Sequence, residues 1–506
     1  MSFQSARVRA PEFPRDAVWL NTGRPLSLRE LRGQVVLLDF FTYGCINCQH
    51  VQPDLAALEH KYGDALAVIG VHSAKFAAER DPENVRQALL RHGITHPVVL
   101  DPDLRIWDSY AVRAWPTLAL IDRSGYSVGA VSGEGKRDLL DTAIAHLLGD
   151  DPGVPQSPPP LAAAGADLQP LQPLSFPGKV LVAAGRLVVA DSAHHRLVIA
   201  DLHGSGATTV GSGARGDRDG DFEQAEFASP RGLALSADGQ LLYVADTGNH
   251  RLRAVDLQAR RVTTIAGTGL QHRGMGAVSG PARATALNSP WDLVRVGTAL
   301  YIAMAGAHQI WLYDLLSDEV MSFAGIGAEA CIGGPRTESA FAQPSGITGD
   351  GHRLWTVDAE SSTVRWIDLA TDTVGTVCGS EDLFDFGDRD GIGTEVRLQH
   401  PLGIAFDGRH LWVADSYNHR LKRVDPQTGA CTTIVGTGQM GASDGERRTA
   451  TFHEPGGIAC GNGLIYVADT NNHRIRVFDP AVGTVATLDL PGLCAPGVCF
   501  PLDRRK

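Results

Sequence analysis

A long repeat runs through the chain from Phe176 onward and constrains the fold more than any other feature. Each copy contains a phrase like LLYVADTGNHRLRAVDL, and one residue of the phrase, usually aspartate, marks its position. The six marker residues are Asp191, Asp246, Met304, Asp358, Asp415 and Asp469, which are spaced by 55, 58, 54, 57 and 54 residues. Each copy contains about four apolar strands. Six such units predict an all-β propeller with six blades, a fold that closes on itself and leaves no long exposed sheet edge.

The amino-acid sequence of the repeat resembles that of a known family. The sequence YVADTNNHR at 466–474 is similar to the NHL repeat, and the similarity is strong in the second, fifth and sixth copies and partial in the first. It is eroded in the third copy at Met304 and Gln309, and in the fourth at 361–363, which reads Ser-Ser-Thr. The resemblance implies an NHL-type propeller.

Aspartate and arginine recur five residues apart in the three strongest copies. These residue types suit buried ion pairs that hold the turn between two strands, because a charge inside a sheet needs a partner. The predicted structural pairs are Asp246 with Arg251, Asp415 with Arg420, and Asp469 with Arg474.

The repeat also suggests metal ligands, but the spacing argues against them. One histidine per blade lies too far from the next to share an ion, so we predict that these side chains pack in turns. They include His250, His419 and His473. The acidic loop GDRDGD at 216–221 lacks the calcium pattern, since a loop starting at Asp217 has Phe222 where Gly is needed and Ala228 where Glu is needed. We predict no metal site and no cofactor.

A different feature precedes the repeat. The sequence VVLLDFFTYGCINCQHVQPDLAALEHKYG at 35–63 begins with an apolar run typical of a buried strand and continues into an amphipathic helix. Cys45 and Cys48 stand at the start of that helix. The positive field of a helix N-terminus favours the thiolate form of the first cysteine. A Cys-x-x-Cys between a strand and a helix predicts redox chemistry.

Asp39 and Pro116 support this interpretation. Asp39 lies inside the apolar strand, six residues before Cys45. Burial of a carboxylate raises its pKa and makes it a proton carrier near neutral pH. Pro116 stands where a turn enters the next apolar strand, and an X-Pro bond at such a turn is a candidate for the cis form.

Together these residues resemble the thioredoxin superfamily, an α/β fold. The residues that match its recurrent positions are Asp39, Cys45, Cys48, Pro53, Pro116 and Thr117. The chain differs at Gly44, where the superfamily usually has Trp, and at Ile46-Asn47, where it usually has Gly-Pro. Residues between the thiols tune the reduction potential, so the direction of electron flow stays open.

The resemblance implies a role for each matching residue. Cys45 attacks the disulfide of a substrate, Cys48 resolves the mixed disulfide, and Asp39 moves the proton. Pro116 shapes the groove beside the sulfur atoms. The other residues expected to line this groove are Tyr43, Ile46, Asn47 and Trp115.

The order of the two regions is informative in itself. A thioredoxin-like domain before NHL repeats, with the phrases DFFTYGCINC, LEHKYG and IGVHSAKF, resembles the NHL repeat-containing protein 2 family. In that family a Cys-Ile-Asn-Cys pair is the expected motif. Longer members carry an extra C-terminal β domain, which we do not expect here. The expected parts are a thioredoxin-like domain over 1–149, a proline-rich linker over 150–175, the propeller over 176–490 and a tail over 491–506.

Composition bears on partners and location. The net charge of −12 argues against non-specific binding to nucleic acid or to anionic membranes, because both need a basic surface. No secretory leader and no apolar run of about 18 residues is visible, so we expect a cytoplasmic protein without a membrane span. We also expect a monomer whose propeller binds a protein.

The remaining cysteines are expected to be unreactive. The buried free thiols predicted in the propeller are Cys331, Cys378, Cys431 and Cys460. Cys494 and Cys499 could pair in an oxidising compartment, but free thiols are expected in the cytoplasm.

Three functions are compatible with these patterns. The first is a thiol–disulfide oxidoreductase whose propeller recruits a substrate protein. The second is a binding scaffold in which the dithiol is vestigial or regulatory. The third is a peroxide-reactive thiol at Cys45, which would form a sulfenic acid and then a disulfide with Cys48. A zinc site is disfavoured, because it needs about four ligands and no second cysteine pair occurs before residue 150.

Overall fold

Residues 8–149 and 172–498 are described by the structure, which is a computed structural model. The chain divides into two units, Met1–Pro170 and Leu171–Lys506. Most of the linker predicted over 150–175 and part of the tail predicted over 491–506 lie outside the described residues.

A six-stranded mixed sheet with the order β1-β4-β3-β2-β5-β6 forms the centre of the first unit. Its strands are β1 (Trp19–Leu20), β2 (Val35–Phe41), β3 (Leu66–Ser73), β4 (Val98–Asp101), β5 (Thr117–Ile121) and β6 (Ser127–Ser132). Its helices are α1 (Ile46–Tyr62), α2 (Pro82–His92), α3 (Arg105–Ser109) and α4 (Arg137–Gly149). Strands β2, β3 and β4 are parallel, and β5 is antiparallel to β2. This is the predicted α/β thioredoxin-like fold.

The central strand β2 is buried along its whole length. Alternate residues of β2 lie in two different apolar clusters, one on each face of the sheet, which explains the apolar run in the sequence. On one face, Val51, Leu55 and Leu58 of α1 pack with Leu140 and Ile144 of α4 in one apolar cluster. This packing fixes the position of α1 against the sheet. It therefore also fixes the position of the first turn of α1, which carries the cysteines.

The second unit consists of six antiparallel sheets, as the repeat predicts. Each has four principal strands, and blades 2 to 6 add a short strand at the outer edge. Blades 1 to 3 comprise β7 (Pro177–Ala183), β8 (Arg186–Asp191), β9 (Arg196–Asp201) and β10 (Thr208–Val210); β11 (Gly220–Asp221), β12 (Pro230–Leu235), β13 (Leu241–Asp246), β14 (Arg251–Asp256) and β15 (Arg261–Ala266); and β16 (Ser279–Pro281), β17 (Pro290–Val296), β18 (Ala299–Met304), β19 (Gln309–Asp314) and β20 (Glu319–Ala324).

Blades 4 to 6 follow the same plan. They comprise β21 (Gly334–Pro335), β22 (Pro344–Gly349), β23 (Arg353–Asp358), β24 (Thr363–Asp368) and β25 (Thr373–Cys378); β26 (Gly391–Ile392), β27 (Gly403–Phe406), β28 (Leu411–Asp415), β29 (Arg420–Val424) and β30 (Ala430–Val435); and β31 (Gly445–Glu446), β32 (Pro455–Gly461), β33 (Leu464–Asp469), β34 (Arg474–Asp479) and β35 (Thr484–Thr487).

A turn histidine links one blade to the next in five of the six blades, and Ser362 takes its place in blade 4. In the last blade, Nδ1 of His473 accepts a hydrogen bond of 3.0 Å from the backbone N–H of Phe176, which precedes the first strand of blade 1 and so closes the ring. The same bond joins His250 to Ser289 at 2.9 Å and His419 to Glu454 at 3.1 Å. The predicted packing role of these histidines is therefore a specific contact between blades.

A buried ion pair crosses the central channel of the propeller. Lys179 Nζ lies 2.9 Å from Asp292 Oδ2 and also donates to the carbonyl oxygens of Ser345 and Leu402, at 2.9 and 2.7 Å. These partners belong to blades 3, 4 and 5, whereas Lys179 belongs to blade 1. The channel is filled at this level. The sequence contains a signal for this, because the Pro-x-Gly that starts the inner strand of four blades becomes Pro-x-Lys179 and Pro-x-Asp292 in the other two.

The buried aspartates pair with a different basic residue from the predicted one. Asp246 Oδ2 lies 2.8 Å from Nη1 of Arg253, whereas Arg251 reaches Asp217 at 2.7 Å. The pattern recurs in blades 5 and 6. There the buried pairs are Asp415 with Lys422 at 3.8 Å and Asp469 with Arg476 at 2.8 Å, while Arg420 reaches Asp388 and Arg474 is exposed.

The three predicted pairs are thus wrong, because the basic partner lies seven residues after the aspartate and not five. The basic residue seven positions after the aspartate is fully buried and long enough to reach it. In blade 1 that position is Val198, and there Arg196, five residues after Asp191, makes the pair at 2.9 Å.

Two cysteine predictions have different outcomes. The four predicted free thiols of the propeller are free, although Cys331 and Cys460 are only partly buried. Cys494 is disulfide-bonded, which contradicts the expected free thiol. Cys499 lies outside the described residues.

Candidate functional site

The two cysteines stand at the N-terminus of α1. Cys45 is the N-cap residue with an extended backbone, and Cys48 lies within the first turn. Cys45 is 8 % exposed and Cys48 only 1 %. Burial raises the pKa of the Cys48 thiol well above its usual range, and a hydrogen bond with Cys45 raises it further. Cys48 therefore holds its proton, and Cys45 is the more exposed of the two thiols.

The turn before Cys45 is fixed by a buried carboxylate. Glu79 is 1 % exposed, and its Oε1 accepts a hydrogen bond of 3.2 Å from the backbone N–H of Gly44. Its Oε2 accepts from the N–H groups of Lys75 and Phe76, at 2.8 and 3.0 Å. The segment after β3 is thereby tied to the residue next to Cys45. Sequence reasoning missed Glu79, because nothing local connects it to a turn 35 residues earlier.

Asp39 lies in the middle of β2 and is fully buried. Gln52 Nε2 donates a hydrogen bond of 2.9 Å to its Oδ2, and Oδ1 has no hydrogen-bond partner within the described part of the chain. Burial raises the pKa of Asp39 to about 6, and the charge of His96 and the bond from Gln52 partly oppose this. The carboxylate is near enough to Cys48 to raise the pKa of that thiol. A carboxylate with one unused acceptor beside a protonated thiol can take its proton.

Pro116 has the predicted geometry, since the Trp115–Pro116 peptide bond is cis. The indole Nε1 of Trp115 donates a hydrogen bond of 3.0 Å to the Ser73 carbonyl, and the ring packs against Trp107 with centroids 4.4 Å apart. Gly133 N–H donates to the Pro116 carbonyl at 2.9 Å. The loop before β5 is therefore held from both sides, and Trp115 stays partly exposed.

The loop after β6 contributes a pair that the sequence analysis did not identify. His50 Nδ1 lies 2.6 Å from Glu134 Oε2, with the two side chains 8 % and 21 % exposed. His50 follows Cys48 by two residues on α1, and Glu134 directly follows Gly133. The pair fastens the loop that supports Pro116 to the helix that carries the cysteines. The sequence contains only a weak signal for it, namely a Glu between two glycines.

The residues predicted to line the groove differ in their exposure to solvent. Asn47, like Trp115, is partly exposed. Tyr43 and Ile46 are each only 2 % exposed. Tyr43 turns inward, where its ring stacks on His72 at 5.5 Å and 20°. Burial lowers the pKa of His72 to about 3, so this ring is neutral and packs as an aromatic group.

The described residues contain no group of three or more His, Cys, Asp or Glu side chains arranged to hold a metal ion. None of the helices in the described ranges combines the length and apolar character that crossing a bilayer requires.

Family models match both units. The model described as Thioredoxin-like matches residues 33–127. The model described as NHL repeat matches residues 227–254, 398–423 and 452–478. These three segments are the second, fifth and sixth copies of the repeat, in which the sequence is most similar to the NHL repeat.

Curated relatives match over nearly the whole chain. NHL repeat-containing protein 2 from Bos taurus is 43 % identical over 517 residues, which cover 94 % of this chain and 71 % of the relative. The chain belongs to the NHL repeat-containing protein 2 family.

Two further relatives extend the comparison. The Arabidopsis thaliana protein SUPPRESSOR OF QUENCHING 1, chloroplastic, is 44 % identical over 96 % of this chain and 48 % of its own length. The Bacillus subtilis thiol-disulfide oxidoreductase YkuV is 24 % identical over 28 % of this chain and 94 % of its own length. The plant relative is named as chloroplastic, and the cytoplasmic location of this member of the NHL repeat-containing protein 2 family stays a prediction.

Proposed function

We propose that this chain is a thiol–disulfide oxidoreductase that uses the Cys45–Cys48 pair, with the propeller recruiting a protein substrate or partner. One observation carries the proposal. The two cysteines stand together at the start of α1, and Asp39, a fully buried carboxylate, has one acceptor oxygen without a partner among the described residues. The likeness of the first unit to a thiol-disulfide oxidoreductase supports it.

The reaction would proceed in two exchange steps. The Cys45 thiolate attacks one sulfur of a substrate disulfide, forms a mixed disulfide and releases the other sulfur as a thiolate. Asp39 takes the proton of Cys48 through water, and the Cys48 thiolate attacks Cys45 Sγ. The Cys45–Cys48 disulfide forms, the second substrate sulfur leaves as a thiolate, and two electrons have passed to the substrate. The reverse sequence oxidises a substrate dithiol.

The structural groups around the pair suit this cycle. Glu79 and the His50–Glu134 pair hold the turn before Cys45 and the loop around Pro116, so the attacking sulfur and the groove keep a fixed relation. Exchange of disulfides needs three sulfur atoms in line, and a rigid frame lowers the entropy cost of reaching that arrangement. A cytoplasmic location and a monomeric state belong to this proposal, although the disulfide at Cys494 is of a kind that is rare in the cytoplasm.

A redox titration tests the proposal. The full chain is equilibrated in glutathione buffers of stepped potential, and the thiol state of each cysteine is read by alkylation and mass spectrometry. We expect a reversible Cys45–Cys48 disulfide, reduction of a model protein disulfide by the reduced chain, and a stable mixed disulfide in Cys48→Ser. Cys45→Ser should abolish both the formation of the disulfide and the reduction of the model protein. A pair that never forms a disulfide across these buffers would refute the proposal.

A binding scaffold is the second candidate. It is favoured by the large share of the chain in the propeller, a fold that presents broad faces built from blade-connecting loops. In that case the dithiol would be vestigial or regulatory. A cellular role that survives Cys45→Ser but is lost on deletion of the propeller would decide for the scaffold.

A further inference from the structure

An aspartate in the outer loop faces a buried cation in three blades of the propeller. In blade 2, Asp219 Oδ1 accepts from Nη2 of Arg253 at 2.8 Å and from Oγ1 of Thr264 at 3.0 Å. The same arrangement occurs in the other two blades. The groups are Asp390 with Lys422 and Thr433, at 2.9 and 2.9 Å, and Asp444 with Arg476 and Thr487, at 2.7 and 3.1 Å.

The backbone shows that these sites are equivalent. Each cation is the direct cross-strand partner of the threonine that shares its aspartate. Each aspartate stands immediately before the short outer strand of its blade, which is β11, β26 or β31. Three positions therefore define the site: the cation, the threonine opposite it on the neighbouring strand, and the aspartate before the outer strand.

Blade 4 has the same cation and threonine but no aspartate. Arg365 is the cross-strand partner of Thr376, and the residue immediately before β21 is Gly333. The buried Asp358 lies 3.7 Å from Arg365, farther than the 2.8 Å between Asp246 and Arg253 in blade 2. Two donors thus stand where the other blades bind a carboxylate.

Both donors have capacity left. Arg365 is fully buried, and its guanidinium donates to the carbonyls of Gly375, Ala340 and Ile332 and to Cys331 Sγ. A guanidinium has five N–H groups, so one of the two on Nη2 has no acceptor among the described residues. In blades 2 and 6 Nη2 is the nitrogen that binds the aspartate.

Thr376 supplies the second donor. Its Oγ1 is buried and has no hydrogen-bond partner within residues 8–149 and 172–498. A buried hydroxyl without a partner is costly, and few occur in native structures. Both donor atoms are buried, whereas Gly333, at the position of the aspartate, is exposed, as is Ile332 beside it at 46 %, so a group from outside the chain reaches the donors when the backbone at 332–333 moves aside.

We propose that Arg365 and Thr376 of blade 4 bind a carboxylate group supplied by another molecule, in the position that an aspartate of the chain fills in blades 2, 5 and 6. The ligand class is a carboxylate because three copies of the same cradle already hold one, with the charge-assisted geometry that arginine favours. The carboxylate comes either from a small acid in solution or from an acidic side chain of a bound protein. The site is independent of the dithiol.

Acetate is the probe for the chemistry. The full chain is titrated with sodium acetate and, at equal ionic strength and pH, with sodium chloride, and NMR signals of the Thr376 methyl group and the Gly333 amide are followed. We expect a saturable shift with acetate that chloride does not reproduce. Thr376→Val keeps the shape of the side chain and should bind acetate about fivefold more weakly, because one neutral hydrogen bond is lost.

Gly333→Asp is the matched control, because it supplies the carboxylate from the chain itself. Its signals should not respond to acetate, while the rest of its spectrum should match the parent. Equal responses of the parent chain to acetate and chloride would overturn the proposal, as would an acetate response that persists in Gly333→Asp.

Two capped tripeptides distinguish the sources. Acetyl-Gly-Asp-Gly-amide should shift the same signals, whereas acetyl-Gly-Asn-Gly-amide should not. Binding of the aspartyl peptide at lower concentration than acetate supports an acidic side chain of a protein as the occupant. Binding of acetate alone supports a small free carboxylate.

Discussion

Asp39 in the first unit and Asp469 in the propeller show how little burial alone says about function. Both side chains are fully buried, and burial raises the pKa of each to about 6. Their partners differ. Asp469 accepts 2.8 Å hydrogen bonds from the His453 backbone N–H, from Asn472 and from Arg476, so both oxygens are used. Asp39 receives one bond from a neutral amide, and its Oδ1 has no partner among the described residues.

The difference separates a structural carboxylate from a reactive one. Asp469 accepts three hydrogen bonds, one of them from an arginine, so its protonation would weaken bonds that hold two strands and a loop together. Asp39 can gain or lose a proton without losing more than one hydrogen bond, and it lies near a thiol that must be deprotonated. Unused hydrogen-bonding capacity, and not the pKa, is therefore what distinguishes Asp39 as the candidate proton carrier.

The largest expected effect comes from removing the structural charge. Asp469→Ala removes the acceptor of three hydrogen bonds and leaves Arg476 with only the half-exposed Asp444 as its partner, so we expect a loss of about 3 to 5 kcal/mol. The measurement is hydrogen exchange with mass spectrometry in stepped urea, which follows blade 6 peptides separately from the first unit.

The matched control is Arg474→Ala, the exposed residue that the sequence wrongly pairs with Asp469. It should change stability by less than about 0.5 kcal/mol. Equal losses in the two variants would remove the distinction between the two positions.

The second effect has the opposite sign. Because the pKa of Asp39 is raised from 3.8 to about 6 in the folded state, its ionisation destabilises the fold. The destabilisation is absent below pH 4, grows as the pH rises to 6, and reaches about 3 kcal/mol at pH 7. Asp39→Asn should therefore stabilise the first unit by up to that amount at pH 7 and have no effect at pH 4.

Urea unfolding of the parent chain and of Asp39→Asn at several pH values measures this difference in stability. Hydrogen exchange in β2 peptides reports the unfolding of the first unit. Asp39→Asn that destabilises the first unit at pH 7 would mean that the carboxylate is structural, like Asp469.

The third effect concerns rate. Asp39→Asn removes the proton acceptor for Cys48, and loss of a general base typically slows a reaction about 100-fold. In the parent chain the resolving step should accelerate as the pH rises through 6, since Asp39 must first lose its own proton. The variant should lose this inflection. Quenched mass spectrometry of a glutathione mixed disulfide at Cys45 follows the step, and an unchanged rate would exclude Asp39 as the base.

The smallest effect lies in blade 4. Gly333→Asp should stabilise the propeller by about 1 kcal/mol, because it gives Arg365 and Thr376 the charge-assisted acceptor that the other blades have. A Cβ at Gly333 would lie 3.1 Å from the Val374 carbonyl oxygen, so this strand must shift slightly. Thermal unfolding compares the variant with the parent, and Gly333→Asn, which has the same shape without the charge, is the control. A lower unfolding temperature than the control would show that the site does not accept a carboxylate.

Local patterns in the sequence determined much of this protein. The spacing of the repeat set the number of blades, and the apolar run before Cys45 identified the buried strand, the helix and Asp39 within it. These features depend on contacts between neighbours along the chain, where the period of two or 3.6 residues decides which side chains face inward. The Trp115–Pro116 bond belongs to the same class, since proline itself makes the cis form accessible.

Tertiary structure alone decided which charged groups meet. Lys179 and Asp292 are 113 residues apart and meet only because six blades close into a ring. Glu79 reaches Gly44 only because β3 lies beside β2. The choice of Arg253 over Arg251 as the partner of Asp246 depends on which side chain is buried after the blades pack. Such pairs follow from closure and burial, which one residue's place in a repeat does not specify.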